Sequence, residues 1–183
     1  CSAAGLGYSV LAEALKSGLD CSSRLDTAFP VQYAGRVTEP VEIVSAFPDD
    51  RKSWLALAAF REAVEDSGGL VSLNDCPDRC GVFLGTGLSS VTAHEIETDL
   101  YPHLDEQGRF DRVAMAQDLR MDGAAPRRHM PTRLTDEVRR RALADGRSGT
   151  SFSACAASAQ AIAEGAWAIR RGELDVAIVG GQD

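Results

Sequence analysis

One cysteine, Cys155, stands where its sulfur could act as a nucleophile. Residues 150–154 have the composition of a short strand, and residues 156–171 that of a buried helix, because few polar side chains interrupt its alanines. A strand-to-helix turn places the sulfur beside unpaired backbone N–H groups and the positive end of the helix dipole. Such a turn lifts a nucleophile out of the sheet, and the following amides can stabilise an oxyanion.

Cys155 also has a purely structural interpretation. Free cysteines are often small residues that fill space in a core, and alanines surround this one. Helix N-termini favour the reactive thiolate, whereas apolar burial disfavours it. The local pattern does not separate the two interpretations.

The elements that must position Cys155 follow from the hydrophobic pattern. Residues 175–179 predict a second strand after the helix, and Arg170, Arg171 and Gly172 suit the helix end by charge and cap geometry. The result is a βαβ unit with parallel strands and a right-handed crossover. Residues 21–48 and 105–130 are expected to be largely irregular. The other predicted elements are helices at 8–17, 53–67, 90–104 and 131–144, and short strands at 41–44 and 81–84.

Composition bounds the function. The 183 residues suit one sizeable domain, and a net charge of -8 has the wrong sign for neutralising phosphates, so we expect no nucleic-acid partner. No apolar run is long enough to span a membrane, and five cysteines without a secretory signal favour reduced thiols in a cytoplasmic protein. The chain starts at Cys1 and stops at Asp183, just after an apolar strand, which suggests a piece of a longer chain.

Three stretches of the sequence resemble the β-ketoacyl-acyl-carrier-protein synthases, a family of the thiolase-like superfamily. The most specific is the run Thr-Ser-Phe-Ser-Ala-Cys-Ala-Ala-Ser at 150–158 with the segment 169–181, where nucleophile, helix length, charged turn and Gly-Gly strand end fall in register. The other two are Gly5-Leu6-Gly7 with the following helix, and residues 82–87. The resemblance is strong after Gly149 and patchy before Pro131.

The resemblance implies an α/β, thiolase-like layered fold of two similar halves, with a mixed sheet, a buried nucleophile helix and covering helices. Residues 1–183 would be the N-terminal half, truncated at both ends. In that family the cysteine takes an acyl group from acyl carrier protein or coenzyme A, and a decarboxylating malonyl thioester then attacks the thioester, in fatty acid or polyketide biosynthesis. The resemblance implies no bound cofactor, because the substrates are carried on the phosphopantetheine of acyl carrier protein or on coenzyme A. The strand at 150–154 would pair across a two-fold axis, giving a homodimer or related heterodimer.

The resemblance assigns roles to few residues. Cys155 is the catalytic residue, and the turn Gly85-Thr86-Gly87 lies near the family's acyl channel. The arginines at 127 and 128 belong to a basic island that either binds the carrier protein or is an exposed helix face. The family's two catalytic histidines lie in the second half, so we expect this piece alone to be incompetent for the full condensation.

Several features limit or compete with this interpretation. The arginine-rich segment 130–149 and the pair Ala157-Ser158, in place of Ser-Gly, indicate a divergent member. The alternatives are a non-catalytic partner subunit similar to chain-length factors, which usually lack the cysteine, and a thiolase-type or cysteine-hydrolase enzyme. Cys76, Cys80 and His94 could be imagined as a metal site, but their spacing favours a loop, and no metal is expected.

Overall fold

The computed structural model describes residues 1–26, 32–38, 41, 47, 50–68, 75–87, 93–118 and 129–182. The helices are α1 (Tyr8–Ser17), α2 (Arg51–Asp66), α3 (Arg112–Asp118), α4 (Arg133–Ala142) and α5 (Ala157–Arg170). The strands are β1 (Ser22–Arg24), β2 (Tyr33–Gly35), β3 (Cys80–Thr86), β4 (Gly149–Phe152) and β5 (Val176–Gln182). Among the residues with a described structure, no helix combines the length and apolar character that crossing a bilayer requires.

A parallel sheet of order β4-β3-β5 forms the centre of the fold. The predicted βαβ unit is therefore present as β4-α5-β5, with β3 inserted between its two strands. Across the described strands, antiparallel ladder pairing occurs between β1 and β2, a separate hairpin that the sequence did not predict. Thr86 pairs in register with Phe152 on one side and Gln182 on the other, so all three strands reach the same carboxyl edge.

Helices cover both faces of this sheet because the side chains of β3 alternate between two apolar clusters. Phe83 points to one face and packs with Ala161 and Ala168 of α5. Val82 points to the other, in a cluster with Leu57 of α2 and Val138 of α4. The layered α/β architecture expected from the sequence is confirmed.

Some predicted helix and strand ends agree with the observed ones, and others differ. Helix α1 agrees at both ends, since Gly18 adopts the left-handed conformation that ends it. The predicted glycine turn at 85–87 is partly wrong, because β3 continues through Thr86. The predicted helix at 90–104 is broken into α, π and 3-10 pieces between Ala93 and His103, and Pro102 lies in the last piece. The irregular stretch after it contains α3, and most of the predicted strand at 41–44 falls outside the described residues.

The expectation that α5 is a buried helix is only half right. Its inner face is buried through Ala157, Ala161, Gly165 and Ala168. On its outer side Ile162 and Trp167 are 52% and 55% exposed. Alanine-rich composition signalled an apolar surface on every side, but this chain covers one side only.

Glycines permit the closest approach between α5 and the sheet. A Cβ built on Gly85 would lie under 3.0 Å from backbone atoms of Ala157 and Ser158. One built on Gly181 would lie under 3.0 Å from the Ser158 side chain, and one on Gly165 would lie 2.5 Å from Val179 Cγ1. The first turn of α5 thus rests directly on β3 and β5, at positions where only glycine leaves room for it.

We predict that Gly85→Ala destabilises the complete protein by about 1–3 kcal/mol, because backbone atoms cannot move aside for the new methyl group. Gly180→Ala is the matched control, since its Cβ would meet Leu84 Cδ2 at an ordinary 3.8 Å. Thermal unfolding of both variants checks this. Equal shifts in the two midpoints would show that the close approach is not what requires glycine.

Candidate active site

Cys155 lies on a sharp turn between β4 and α5. After Phe152 ends the strand, Ala154 adopts a positive φ of 49°, and residues Ala154–Ala156 form one 3-10 turn. The Ala156 N–H donates to the Ser153 carbonyl at 3.2 Å, which closes the turn. Cys155 is exposed. The structure therefore supports the strand-to-helix placement, and within this chain Cys155 is not a buried space-filling residue.

The turn is seated at the carboxyl edge of the parallel sheet. The two residues that touch Gly85, Ala157 and Ser158, follow Cys155 almost directly, and Ser158 also lies against Gly181. Parallel α/β sheets bind their ligands outside the carboxyl ends of the strands. The nucleophile candidate thus lies at the edge of the sheet where chemistry is expected.

The start of α5 provides a favourable electrostatic setting for negative charge. Helix α5 has 14 residues, and no side chain caps the amides of its first turn. Those amides and the aligned peptide dipoles favour an anion at this end of the helix. The arrangement suits attack by a sulfur on a carbonyl carbon, which generates an oxyanion.

The three residues predicted to lie near an acyl channel reach this same edge. Gly85 and Thr86 are the last residues of β3 and are buried, and Gly87 follows directly. Because the start of α5 rests on Gly85, these residues lie next to the turn that carries Cys155. Their proximity agrees with the predicted grouping, and their role remains a prediction.

The remaining thiols differ from Cys155 in environment. None of the five cysteines forms a disulfide, and Cys80, at the amino end of β3, is buried. Burial raises the pKa of the Cys80 thiol, so less of it is thiolate at neutral pH. Within the described ranges no group of three or more His, Cys, Asp or Glu side chains could hold a metal ion.

Only part of the predicted basic island lies within the described residues. Arg127 and Arg128, the predicted carrier contacts, lie outside the described part of the chain. Glu137 binds Arg140 and Arg141, each at 2.7 Å, and these bonds lower the pKa of Glu137. The arginines of α4 also include Arg133, whose guanidinium stacks 4.5 Å from the centre of the Phe47 ring. Each of these three arginines of α4 is therefore engaged within the protein.

Two side-chain hydrogen bonds that join the end of β4 to α5 were not predicted from the sequence. The Ser153 hydroxyl donates to Gln160 Oε1 at 2.6 Å, and the Ser151 hydroxyl donates to Glu164 Oε1 at 3.4 Å. The sequence does carry a signal for these pairs. Ser151 and Ser153 are two residues apart before the turn, and Gln160 and Glu164 are four residues apart on the alanine-rich helix. The polar interruptions of the helix were noted, but their partners were not.

A cavity of about 520 Å³ lies elsewhere, lined among others by Pro77, Leu143 and Asp145. Pro77 precedes the amino end of β3, so this cavity is at the edge of the sheet opposite Cys155. The candidate nucleophile Cys155 therefore does not line this cavity.

The fold and site together define a layered α/β protein with a cysteine on the strand-to-helix turn at the carboxyl edge of its parallel sheet. A family model described as "Beta-ketoacyl synthase, N-terminal domain" matches residues 45–183. The chain therefore belongs to the β-ketoacyl synthase family of condensing enzymes, as the resemblance implied.

A solved structure gives the same assignment of fold. The chain is similar to the crystal structure of a beta-ketoacyl synthase from Burkholderia phymatum STM815, with a TM-score of 0.67 and 21% identity. The match covers 94% of this chain and 42% of that one, so this chain spans less than half the length of that synthase. At this identity the likeness establishes the fold alone. No curated protein matches the sequence.

We predict that iodoacetamide modifies Cys155 in the folded protein more than about tenfold faster than Cys80, because Cys80 is buried and its pKa is raised. Peptide mass spectrometry over a time course measures both rates. In urea the two thiols should react at similar rates, which serves as the control. Equal rates in the folded protein would contradict the difference in environment.

Proposed function

We propose that this chain is the N-terminal half of a decarboxylating condensing enzyme in which Cys155 accepts the acyl group. The observation that carries the proposal is the exposed residue Cys155 on a strained turn at the carboxyl edge of the sheet, in a chain of the β-ketoacyl synthase family. A chain-length-factor-like role is less well supported, because such subunits usually lack this cysteine.

The proposed reaction has two halves that share one sulfur. The Cys155 thiolate attacks the thioester carbonyl of the first substrate, and the tetrahedral intermediate collapses to a Cys155 thioester and the carrier thiolate, which takes a proton from water. A malonyl thioester then loses carbon dioxide, and the electron pair of the broken C–C bond becomes a carbanion. That carbanion attacks the Cys155 thioester, which forms the new C–C bond and releases the thiolate. The Cys155 N–H is the proposed first oxyanion donor.

The second half of the reaction needs residues outside this chain. Decarboxylation requires groups that polarise the malonyl carbonyl, and the family supplies two histidines from its second half. The exposed apolar residues on the outer side of α5 fit a surface that the rest of the longer protein covers. On this basis residues 1–183 present the acyl acceptor and do not complete the condensation alone.

The proposed assembly is a homodimer or a related heterodimer formed through β4. This strand lies at one end of the order β4-β3-β5, and Phe152 at its end is 56% exposed. An edge strand offers unpaired backbone N–H and C=O groups that a second strand can bind. Pairing there would place the two Cys155 turns near the same interface.

We predict that the complete protein, incubated with an acyl thioester of acyl carrier protein or coenzyme A, gains the mass of one acyl group. Cys155→Ala should abolish this gain, because it removes the only proposed acceptor sulfur. Cys76→Ala, which removes another exposed thiol, is the matched control and should acylate normally. Intact-mass spectrometry distinguishes these results. Acylation of the Cys155→Ala variant would refute the assignment.

A further prediction concerns the carrier. If Arg127 and Arg128 bind the phosphopantetheine phosphate or an acidic carrier helix, reversing their charge should raise KM for carrier-bound substrate by about tenfold or more. KM for a short thiol mimic should not change. Arg170→Glu, at the opposite end of α5 from Cys155, is the control. Equal effects on both substrates would reject the docking role.

A further inference from the structure

The polar pairs beside Cys155 form a ladder that links β4 to α5. Ser151 in β4 bonds Glu164, and Ser153, one residue beyond β4, bonds Gln160. Two strand residues advance about 6.6 Å and four helix residues about 6 Å, so the two spacings match. A Cβ built on Gly149 would lie 3.6 Å from Glu164, which places the carboxylate over the same strand. The two bonds therefore lie side by side between β4 and α5, and the Ser153–Gln160 bond is the one nearer the Cys155 turn.

The turn above this ladder is anchored at its two ends, by β4 and by the buried Ala157, and not by packing of its own residues. Residues 154–156 are exposed, so apolar packing contributes little there. A non-glycine residue at a positive φ, such as Ala154 at 49°, costs about 1–2 kcal/mol. A net hydrogen bond contributes about 1 kcal/mol. The Ser153–Gln160 bond is exposed to solvent, so it offsets only part of this strain, and its loss would loosen the turn without unfolding it.

Gln160 is placed to supply that bond. Helical side chains point toward the helix N-terminus, so a long residue in the first turns of α5 reaches back over the segment before it. Its amide oxygen accepts the Ser153 hydroxyl bond at 2.6 Å, and the Ser153 carbonyl accepts the 3-10 bond from Ala156. Ser153 is thus tied on one side to the helix and on the other to the turn that contains Cys155.

We propose that Gln160 is a positioning residue, which fixes the Cys155 turn through the Ser153 hydroxyl. The inference rests on the proposed role of Cys155 as acyl acceptor and adds the residue that aligns it. Glu164 and Ser151, one rung further from the turn, align the strand with the helix without acting on the sulfur.

The test uses the complete protein and compares the two rungs. Gln160→Ala and Ser153→Ala should each lower the rate constant for Cys155 acylation by about tenfold or more, because small misplacements of a nucleophile are costly. KM for the acyl thioester should stay unchanged. The double variant should be no slower than either single one, since the two residues act as one unit. Ser153→Thr, which keeps a hydroxyl, should restore the rate.

Ser151→Ala is the matched control. It removes the serine hydroxyl that bonds Glu164, the pair further from the turn. It should therefore lower the unfolding midpoint and leave the acylation rate unchanged. Acylation rates within twofold of wild type for both Gln160→Ala and Ser153→Ala would overturn the proposal. An equal loss of rate in Ser151→Ala would also overturn it, because the effect would then be structural.

Alkylation of Cys155 by iodoacetamide separates this inference from the proposed function. If the wild-type protein alkylates but accepts no acyl group, the proposed function fails, and slower alkylation in Gln160→Ala still supports the positioning role. If wild type and variants acylate equally well, the proposed function stands and the positioning role is refuted.

Discussion

The structure depends on the direct contact between the first turn of α5 and the backbones of β3 and β5. Side chains larger than glycine at positions 85 and 181 would collide with Ala157 and Ser158, so the contact exists only because both are glycine. Interiors pack closely and adjust little, which makes the resulting position precise. A helix seated this way cannot slide along the sheet, and the residues just before it are held at the carboxyl edge.

That seating explains why Cys155 can be exposed and still ordered. Its own neighbours, Ala154 and Ala156, are exposed and small, so they contribute little packing. Order is transmitted instead from the buried Ala157 and Ala161 on one side and from the β3–β4 pairing on the other. The positive φ of Ala154 is the local strain of joining a strand to a helix that must start so close to the sheet.

The sequence predicted the elements that local pattern controls and missed those that depend on contacts distant along the chain. Cys155 and its βαβ unit were found because a strand, an alanine helix and a second strand follow one another without interruption. The insertion of β3 between them could not be read, because strand order is a non-local property. The Ser153–Gln160 bond was missed for the same reason. Composition predicted an apolar surface all round α5, but it could not show which side of the helix this chain covers.

In the proposed function, the acyl-accepting step and the decarboxylation step depend on different parts of the protein. Everything that presents the sulfur comes from β3 and residues 149–182, so the acyl acceptor can be built by this chain alone. In the proposed function, the groups that polarise the malonyl carbonyl come from the second half of the protein. His129, for example, lies before α4 and contacts Glu95, with its Nε2 3.4 Å from Glu95 Oε1. In the proposed enzyme one half would hold the thioester and the other would drive decarboxylation, and the exposed apolar side of α5 is where the two parts would meet.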